Sequence, residues 1–505
     1  MAQYLRAKKI DLSVADTFHA MLNEQDAMED GIHEGDVISM SWGEQSVNVT
    51  VTLTSTEVEH GYIGIYSEVW ERYQIMNDET VVVSTLEPTE SIDIIRKKLL
   101  GKKLTEEEIN KVMHDMGSRR IGPVETAFFM STFFNPGFDE DETLWMTKGM
   151  AHSGDILEFN NFKGKDTLVV DKHSIGGLAG KAVTPVLVPI IASFDNLVIP
   201  NTSTRAITSP AGTSDILEVV MPVSLSKEEI LETVKKTNGC LVWGGALDLA
   251  PADDVLINVE KVIHMESFQK VIISIIAKKI SMGVTHIIID IPYGRGTKVQ
   301  NVEDMYTIRD GFTNLFDKVG IKSVILTREA FGPDGRGVGP NLEMKEVLRI
   351  LERDEKRDSK LENLTLKMCG MLLKLAGISQ TEKEGEALAL SKLENLSALE
   401  KFWQIADAQG SQKRITSNDI TIGEYSFDVI SQVDGIVSIV NNKELMKICR
   451  VLGTPGIKES GLYVHKLDGE SVKKGDKLLT LYTSAIARIE NAKKSIDINK
   501  IYTFK

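Results

Sequence analysis

Four short segments of the chain gather the residue types that hold an anion or a sugar. The first is Asp171-Lys172-His173-Ser174-Ile175-Gly176-Gly177, which follows the apolar run Thr167–Val170. Glycines after a strand let backbone N–H groups turn toward an anion with no Cβ in the way, while Lys172 adds a charge and Ser174 a hydroxyl. The segment has neither the Walker A nor the GxGxxG spacing, so it does not point to ATP or a dinucleotide. Alone it is compatible with an anion-binding turn and with a plain strand-to-helix turn. The second segment, Thr202 to Thr213, sets several hydroxyls around Arg205. Hydroxyls and a guanidinium suit phosphate or sugar oxygens, but a Ser/Thr-rich loop ending in a helix cap at Thr213-Ser214-Asp215 has the same composition. The third, Ile291-Pro292-Tyr293-Gly294-Arg295-Gly296-Thr297-Lys298, again follows a strand. Ligands of open α/β sheets sit beyond the carboxyl ends of strands, so two glycine-bearing loops in such positions belong to one cleft. Lys298 is then an anion contact or a solvated lysine. The fourth, Gly244 to Asp254, reads as a tight and mostly structural crossover.

The elements that would position these segments change character along the chain. Residues 1–86 alternate as a small β-rich domain, with Val47–Leu53, Tyr62–Tyr66 and Thr80–Ser84 as its clearest strands. From Ser91 the period becomes helical, and Thr105-Glu106-Glu107-Glu108 is a capping box. From Thr167 strands alternate with helices: Thr167–Val170, His286–Asp290 and Ser323–Thr327 are separated by helical stretches at Lys227–Thr237, Phe268–Met282 and Asn341–Arg353. That alternation predicts a sheet with parallel strands. After about Ser417 short strands return, at Gly435–Val440 and Lys477–Tyr482.

Composition narrows the function classes. The 505 residues carry a net charge of -15, which disfavours binding to a polynucleotide but leaves room for a small phosphorylated substrate. Cys240, Cys369 and Cys449 form no ligand spacing and suit a reducing compartment. No apolar h-region follows the first basic residues, and the most apolar run, Thr184 to Phe194, is short and holds two prolines. The expectation is a cytoplasmic protein with no membrane partner.

Together the segments DKHSIGG (171–177), TSTRAITSPAGTSD (202–215), GGALDLAPADD (244–254), SIIAKK (274–279) and DIPYGRGTKV (290–299) resemble the thymidine phosphorylase family, most of all its AMP phosphorylase branch. The helical start IIRKKLLGKKLTEEEI (94–109) is similar too, and residues 1–86 resemble the additional domain of that branch. The resemblance implies an α/β multidomain fold: a helical domain (88–152 and 252–283), a large α/β phosphate-binding domain with a mixed sheet (160–251 and 284–416), and β-rich N-terminal (1–86) and C-terminal (417–505) units. It implies phosphorolysis of AMP, with CMP and UMP as further candidates, to the free base and ribose 1,5-bisphosphate. A nucleoside phosphorylase of the thymidine/pyrimidine type, a non-catalytic nucleotide sensor and a phosphoribosyltransferase are the alternatives.

Residue by residue, the resemblance implies that Gly177, Thr204, Arg205, Ala206, Ile207, Thr208, Ser209, Thr213, Ser274 and Lys298 contact AMP. It implies that Lys172, Ser174, Ser203 and Thr213 hold phosphate, and that His173 lies beside the base in pyrimidine members. Glu266 stands where the family has an acidic proton donor, an aspartate. Glu260 stands where the pyrimidine enzymes clamp the base with an arginine. Leu178-Ala179-Gly180-Lys181 replaces the usual Val-Pro-Gly-Asn. Inorganic phosphate is a co-substrate, with no cofactor and no metal, and a homodimer or larger homo-oligomer is implied.

Overall fold

The computed structural model describes residues 2–14, 17–87, 89–159, 167–206, 209–247, 249–263 and 266–505. The chain divides into two compact units, Met1–Ile156 with Asp248–Ser281, and Leu157–Leu247 with Met282–Lys505.

The first unit begins with a closed barrel of β1 (Ala2–Ile10), β2 (His19–Asn23), β3 (Val37–Trp42), β4 (Gln45–Thr54), β5 (Tyr62–Tyr66) and β6 (Thr80–Thr85), in the order β1-β5-β2-β4-β3-β6. Alternation dictates which side chains turn inward: Ile38, Met40 and Trp42 from β3, Val47, Val49 and Val51 from β4, Val81 and Val83 from β6. Pairing of β1 with both β5 and β6 closes the barrel, so no strand edge is left to template aggregation.

Helices Ser91–Leu99, Glu106–Gly117, Pro123–Ser131 and Glu140–Ala151 follow, and Pro251–Ile263 and Phe268–Ser281 complete the unit. Reciprocal capping boxes start two of them. The Thr105 hydroxyl accepts the Glu108 N–H while Glu108 accepts that of Thr105, and Asp139 and Glu142 do the same. Glu142 also takes the buried ammonium of Lys98 at 2.7 Å. Asn48 of the barrel donates to the Ser118 carbonyl at 2.6 Å, tying barrel and helices into one unit.

The second unit is built on a five-stranded sheet of β7 (Leu168–Ser174), β8 (Leu197–Ser203), β9 (Gly239–Trp243), β10 (His286–Tyr293) and β11 (Lys322–Glu329), in the order β11-β10-β7-β8-β9. Every pairing is parallel, so all five carboxyl ends reach the same edge. β10 is buried along seven of its eight residues, as a strand covered on both faces must be. Helix Val183–Ala192 is wholly buried and packs with Leu348, Leu372 and Phe402 in the main core. Elsewhere in this unit the strands pair antiparallel, in the sheets of the C-terminal lobe, one of which also takes in Gly337–Val338; the core of this lobe includes Leu462, Leu479 and Leu481. Among the described residues no helix is long and apolar enough to cross a membrane.

Candidate functional site

The first segment is not a turn where it begins. β7 runs on through Asp171, Lys172, His173 and Ser174 before the glycines. These polar residues are tolerated in a buried strand because each is partnered. Asp171 accepts from its neighbour's backbone N–H and from Asn201 on β8, both at 2.7 Å. The Lys172 ammonium, 4% exposed, donates to the Thr184 hydroxyl at 3.2 Å. Ser174 donates to the Asp290 carboxylate at 2.7 Å and accepts from the Lys181 ammonium.

Asp290 is the hub of a buried ionic network. Arg328 on β11 donates to both of its oxygens, at 2.8 and 3.1 Å, and with its other edge to Asp334, at 2.7 and 2.8 Å. Burial works against the Asp290 carboxylate, but Arg328, Lys181 and Lys172 together hold its carboxyl below the usual range. Burial also pushes Lys172 down, against the pull of Asp290 and Asp334. Three parallel strands thus present fixed charges at one edge: the ammonium from β7, the carboxylate from β10 and the guanidinium from β11.

Gly177 has φ +87°, and a Cβ there would lie 2.3 Å from the Lys298 backbone nitrogen. Only glycine lets the first and third segments approach this closely. Lys298 leaves a tight loop in which Thr297 donates to the Gly294 and Val299 carbonyls. Gly180 is equally constrained, since a Cβ there would lie 2.5 Å from the Gly335 carbonyl.

The second segment forms a loop from the end of β8 to the five-residue helix Thr213–Leu217. Ser203 shares a hydrogen bond with Ser214 at 2.8 Å, and Asp215 accepts the N–H groups of Ala206 and Gly212, both at 2.7 Å. Thr204 and Arg205 are exposed. The Arg205 guanidinium lies 4.0 Å from the centre of the Trp243 ring and bonds Glu218 at 2.6 Å. Ser209 donates to the Ala211 carbonyl at 2.7 Å. Ile207 and Thr208 lie outside the described residues.

Ser274 and Glu266 belong to the first unit. Ser274 donates to Asp253 at 2.6 Å. Asp253 is fully buried, with the Lys270 ammonium at 3.2 Å and that of Lys278 at 2.7 Å. Burial opposes its charge, but the two ammonium groups hold its carboxyl well below the ordinary range. Lys270 also reaches Glu260, at 3.0 Å. Burial raises the Glu260 carboxyl against the pull of Lys270, and the nearby Glu266 charge pushes it the same way. Glu266 itself is exposed, just before helix Phe268–Ser281. His173 is half-buried on β7.

Sequence reasoning missed Thr184, Lys181 and the carboxylate–guanidinium network, and it read the segment holding Asp253 as structural. The available signal was polarity in an apolar setting: Asp171-Lys172 inside a buried strand, and Thr184 at the start of an apolar helix. Among the described residues no group of three or more His, Cys, Asp or Glu is arranged to hold a metal ion.

The family model for a glycosyl transferase α/β domain matches residues 166–399, and that for the family's helical bundle domain matches residues 92–154. The chain is 37% identical over 491 residues to an AMP phosphorylase of Methanococcoides burtonii, covering 97% of this chain and 95% of that one. It is 37% identical to AMP phosphorylase 1 of Archaeoglobus fulgidus (94% and 92% covered) and 35% identical to the AMP phosphorylase of Methanocaldococcus jannaschii (97% and 95% covered). Among solved structures, anthranilate phosphoribosyltransferase from Thermus thermophilus superposes with a TM-score of 0.51 at 17% identity, over 63% of this chain and 99% of that one, a likeness of fold alone.

Proposed function

The chain belongs to the AMP phosphorylase family, and from that membership we infer that it catalyses the reversible phosphorolysis of AMP, in which inorganic phosphate and AMP give adenine and ribose 1,5-bisphosphate. The observation that carries this reading is a match over 97% of the chain, which takes in the barrel as well as the parts matched by the family models. The enzyme is a pentosyl-transferring glycosyltransferase.

The geometry supports a division of labour. Phosphate is a multiply charged acceptor, and Lys172 with Ser174 offers an ammonium and a hydroxyl beside it, with Thr184 steadying the ammonium. Arg328 fixes Asp290, and Asp290 holds the Ser174 hydroxyl in place by accepting its one proton, which must turn from the carboxylate for Ser174 to donate to phosphate. Gly177 and Lys298 bring a second loop against the first, Thr204, Arg205, Ala206, Ser209 and Thr213 belong to the loop assigned to the nucleotide, and Ser203 at its start is assigned with Thr213 to phosphate. As C1′ develops positive charge, phosphate attacks it and the base departs. Adenine leaves poorly as an anion, so an acid must protonate it, and Glu266 is assigned that role. Ser274 is assigned to the nucleotide and needs no cofactor. The reading includes a cytoplasmic homo-oligomer.

A nucleotide and nucleoside panel in phosphate buffer tests the reading. Adenine should be released from AMP only when phosphate is present, with thymidine and uridine inert. Thymine release from thymidine with AMP inert would sink it. Glu266→Gln should lower kcat for AMP by about 100-fold or more, the usual contribution of a general acid. Full activity in that variant removes Glu266 from the acid role.

A further inference from the structure

Lys181 is largely buried, and its ammonium makes an unusual set of contacts. It donates to the Ser174 hydroxyl and stands 3.8 Å from the nearer Asp290 oxygen, too far for a close ion pair. Asp290 is already engaged by two nitrogens of Arg328 and by the Ser174 hydroxyl. Lys172, from the same strand as Ser174, has the Thr184 hydroxyl as its hydrogen-bond partner and no carboxylate within ion-pair distance among the described residues. The Lys181 ammonium at Ser174 and the Lys172 ammonium at Thr184 therefore both lack a close carboxylate of their own among the described residues.

We propose that Lys181 acts beside Lys172 as a second cation for the phosphate nucleophile, one that gains its proton as phosphate binds. The proposal rests on the phosphorylase reading above. Burial pushes the Lys181 ammonium down to about 7, with Lys172 and Arg328 adding to the fall and Asp290 and Asp334 opposing it. A dianion beside it reverses the balance and draws one proton from solvent onto Nζ, with no bond to carbon or phosphorus made or broken. The phosphate then meets two positive charges, while in its absence a buried second positive charge need not be kept.

The groups facing Lys181 come from every neighbouring element. Lys172 and Ser174 lie on β7, Asp290 on β10, Arg328 on β11 and Asp334 just beyond it. Glu343, on helix Pro340–Leu351, accepts the backbone N–H groups of Gly339 and Lys181 and is raised to about 8 by burial. Glu343 and Lys172, itself pushed down by burial, are thus the competing sources of pH dependence; Glu343→Gln controls for the first, and the second is common to wild type and Lys181→Arg.

The test is calorimetric titration of inorganic phosphate into the full-length protein at pH 8, in buffers of different ionisation enthalpy. Arginine keeps its charge throughout, so Lys181→Arg isolates the lysine's proton while the phosphate's own ionisation is common to both proteins. The wild type should take up about half a proton or more beyond Lys181→Arg, and Glu343→Gln should retain that excess. Phosphate affinity of the wild type should weaken from pH 7 to 8.5 by up to about tenfold per unit more than that of Lys181→Arg. Lys181→Met, if it keeps the wild-type melting temperature, should bind phosphate about tenfold or more weakly at pH 7. Equal proton uptake in wild type and Lys181→Arg overturns the Lys181 proposal and leaves the phosphorylase reading standing. A wild type that neither binds phosphate nor releases adenine from AMP overturns the phosphorylase reading itself.

Discussion

Replacing Arg328 by methionine strands two buried carboxylates at once. Asp290 is fully buried and Asp334 is 3% exposed, and each receives two hydrogen bonds from the guanidinium. Breaking a buried pair costs about 3–5 kcal/mol, but the two pairs do not simply add. Asp290 keeps the Lys181 ammonium at 3.8 Å, whereas Asp334 loses its ion-pair partner among the described residues and must become neutral. Neutralising a carboxyl of ordinary pKa at pH 7 costs about 4 kcal/mol, and about 1.4 kcal/mol less for each unit of acidification. The expected loss is therefore about 4 kcal/mol at pH 7 and about 3 kcal/mol at pH 6. The sign follows from proton counts. The folded variant holds a proton that its unfolded chain lacks, so its stability rises as pH falls. The wild-type Asp290 carboxylate is held low, so its contribution is lost only in acid. Native-state hydrogen exchange on peptides covering β10 and β11 reads the local free energy without assuming that the whole multidomain chain unfolds at once. Adding Asp334→Asn should recover most of the pH-dependent part. A loss below about 1 kcal/mol, or one independent of pH, would refute the reasoning.

Gly177→Ala places a methyl 2.3 Å from the Lys298 nitrogen at a positive φ, so the two loops must separate. The left-handed backbone alone costs about 1–2 kcal/mol, and KM for AMP and for phosphate should rise about tenfold or more. Unchanged values for both would show that this contact does not position the loops. Glu343 is raised from its ordinary 4.5 to about 8, so the folded wild type holds a proton that the unfolded chain has released across that window. Stability should fall as pH rises through it, by up to about 1.4 kcal/mol per unit, and Glu343→Gln should abolish that fall in pH-dependent melting.

Local rules made some elements legible. Thr105 and Glu108 announce a helix start that the backbone bears out, and helix Lys227–Thr237 has the ends its sequence suggests. β7 was half legible: apolar runs reveal strands, so the reading stopped at Val170, whereas the strand continues to Ser174. Its polar half is buried only because Asn201 and Asp290, remote in sequence, supply partners. The same distance hid the site's framework. Arg328 and Asp290 are 38 residues apart and meet because β10 and β11 pair in parallel. Asp253 sat in a segment read as a crossover, and its lysines are one helix further on. Residue type thus pointed to the anion-holding segments, while the charges that orient them follow from strand order, which no local pattern encodes.

The interruption of the first unit by residues 157–247 also bears on how the chain is born. The barrel can close once β6 has emerged, for all its strands lie before residue 86. The helices that follow cannot finish: Gln269 anchors to Phe138 and Thr143, and Ser281 to Ala151. Between 126 and 131 residues separate these partners, so at about 5–20 residues per second roughly 6–26 s pass between them on the ribosome. Through that interval the faces carrying Ile109, Val112, Met113 and Met116 wait without their full cover, while β7, β8 and β9 emerge beside them. The early capping boxes at Thr105 and Asp139 are local and need nothing downstream, so they can hold the helices in register until the later pair arrives.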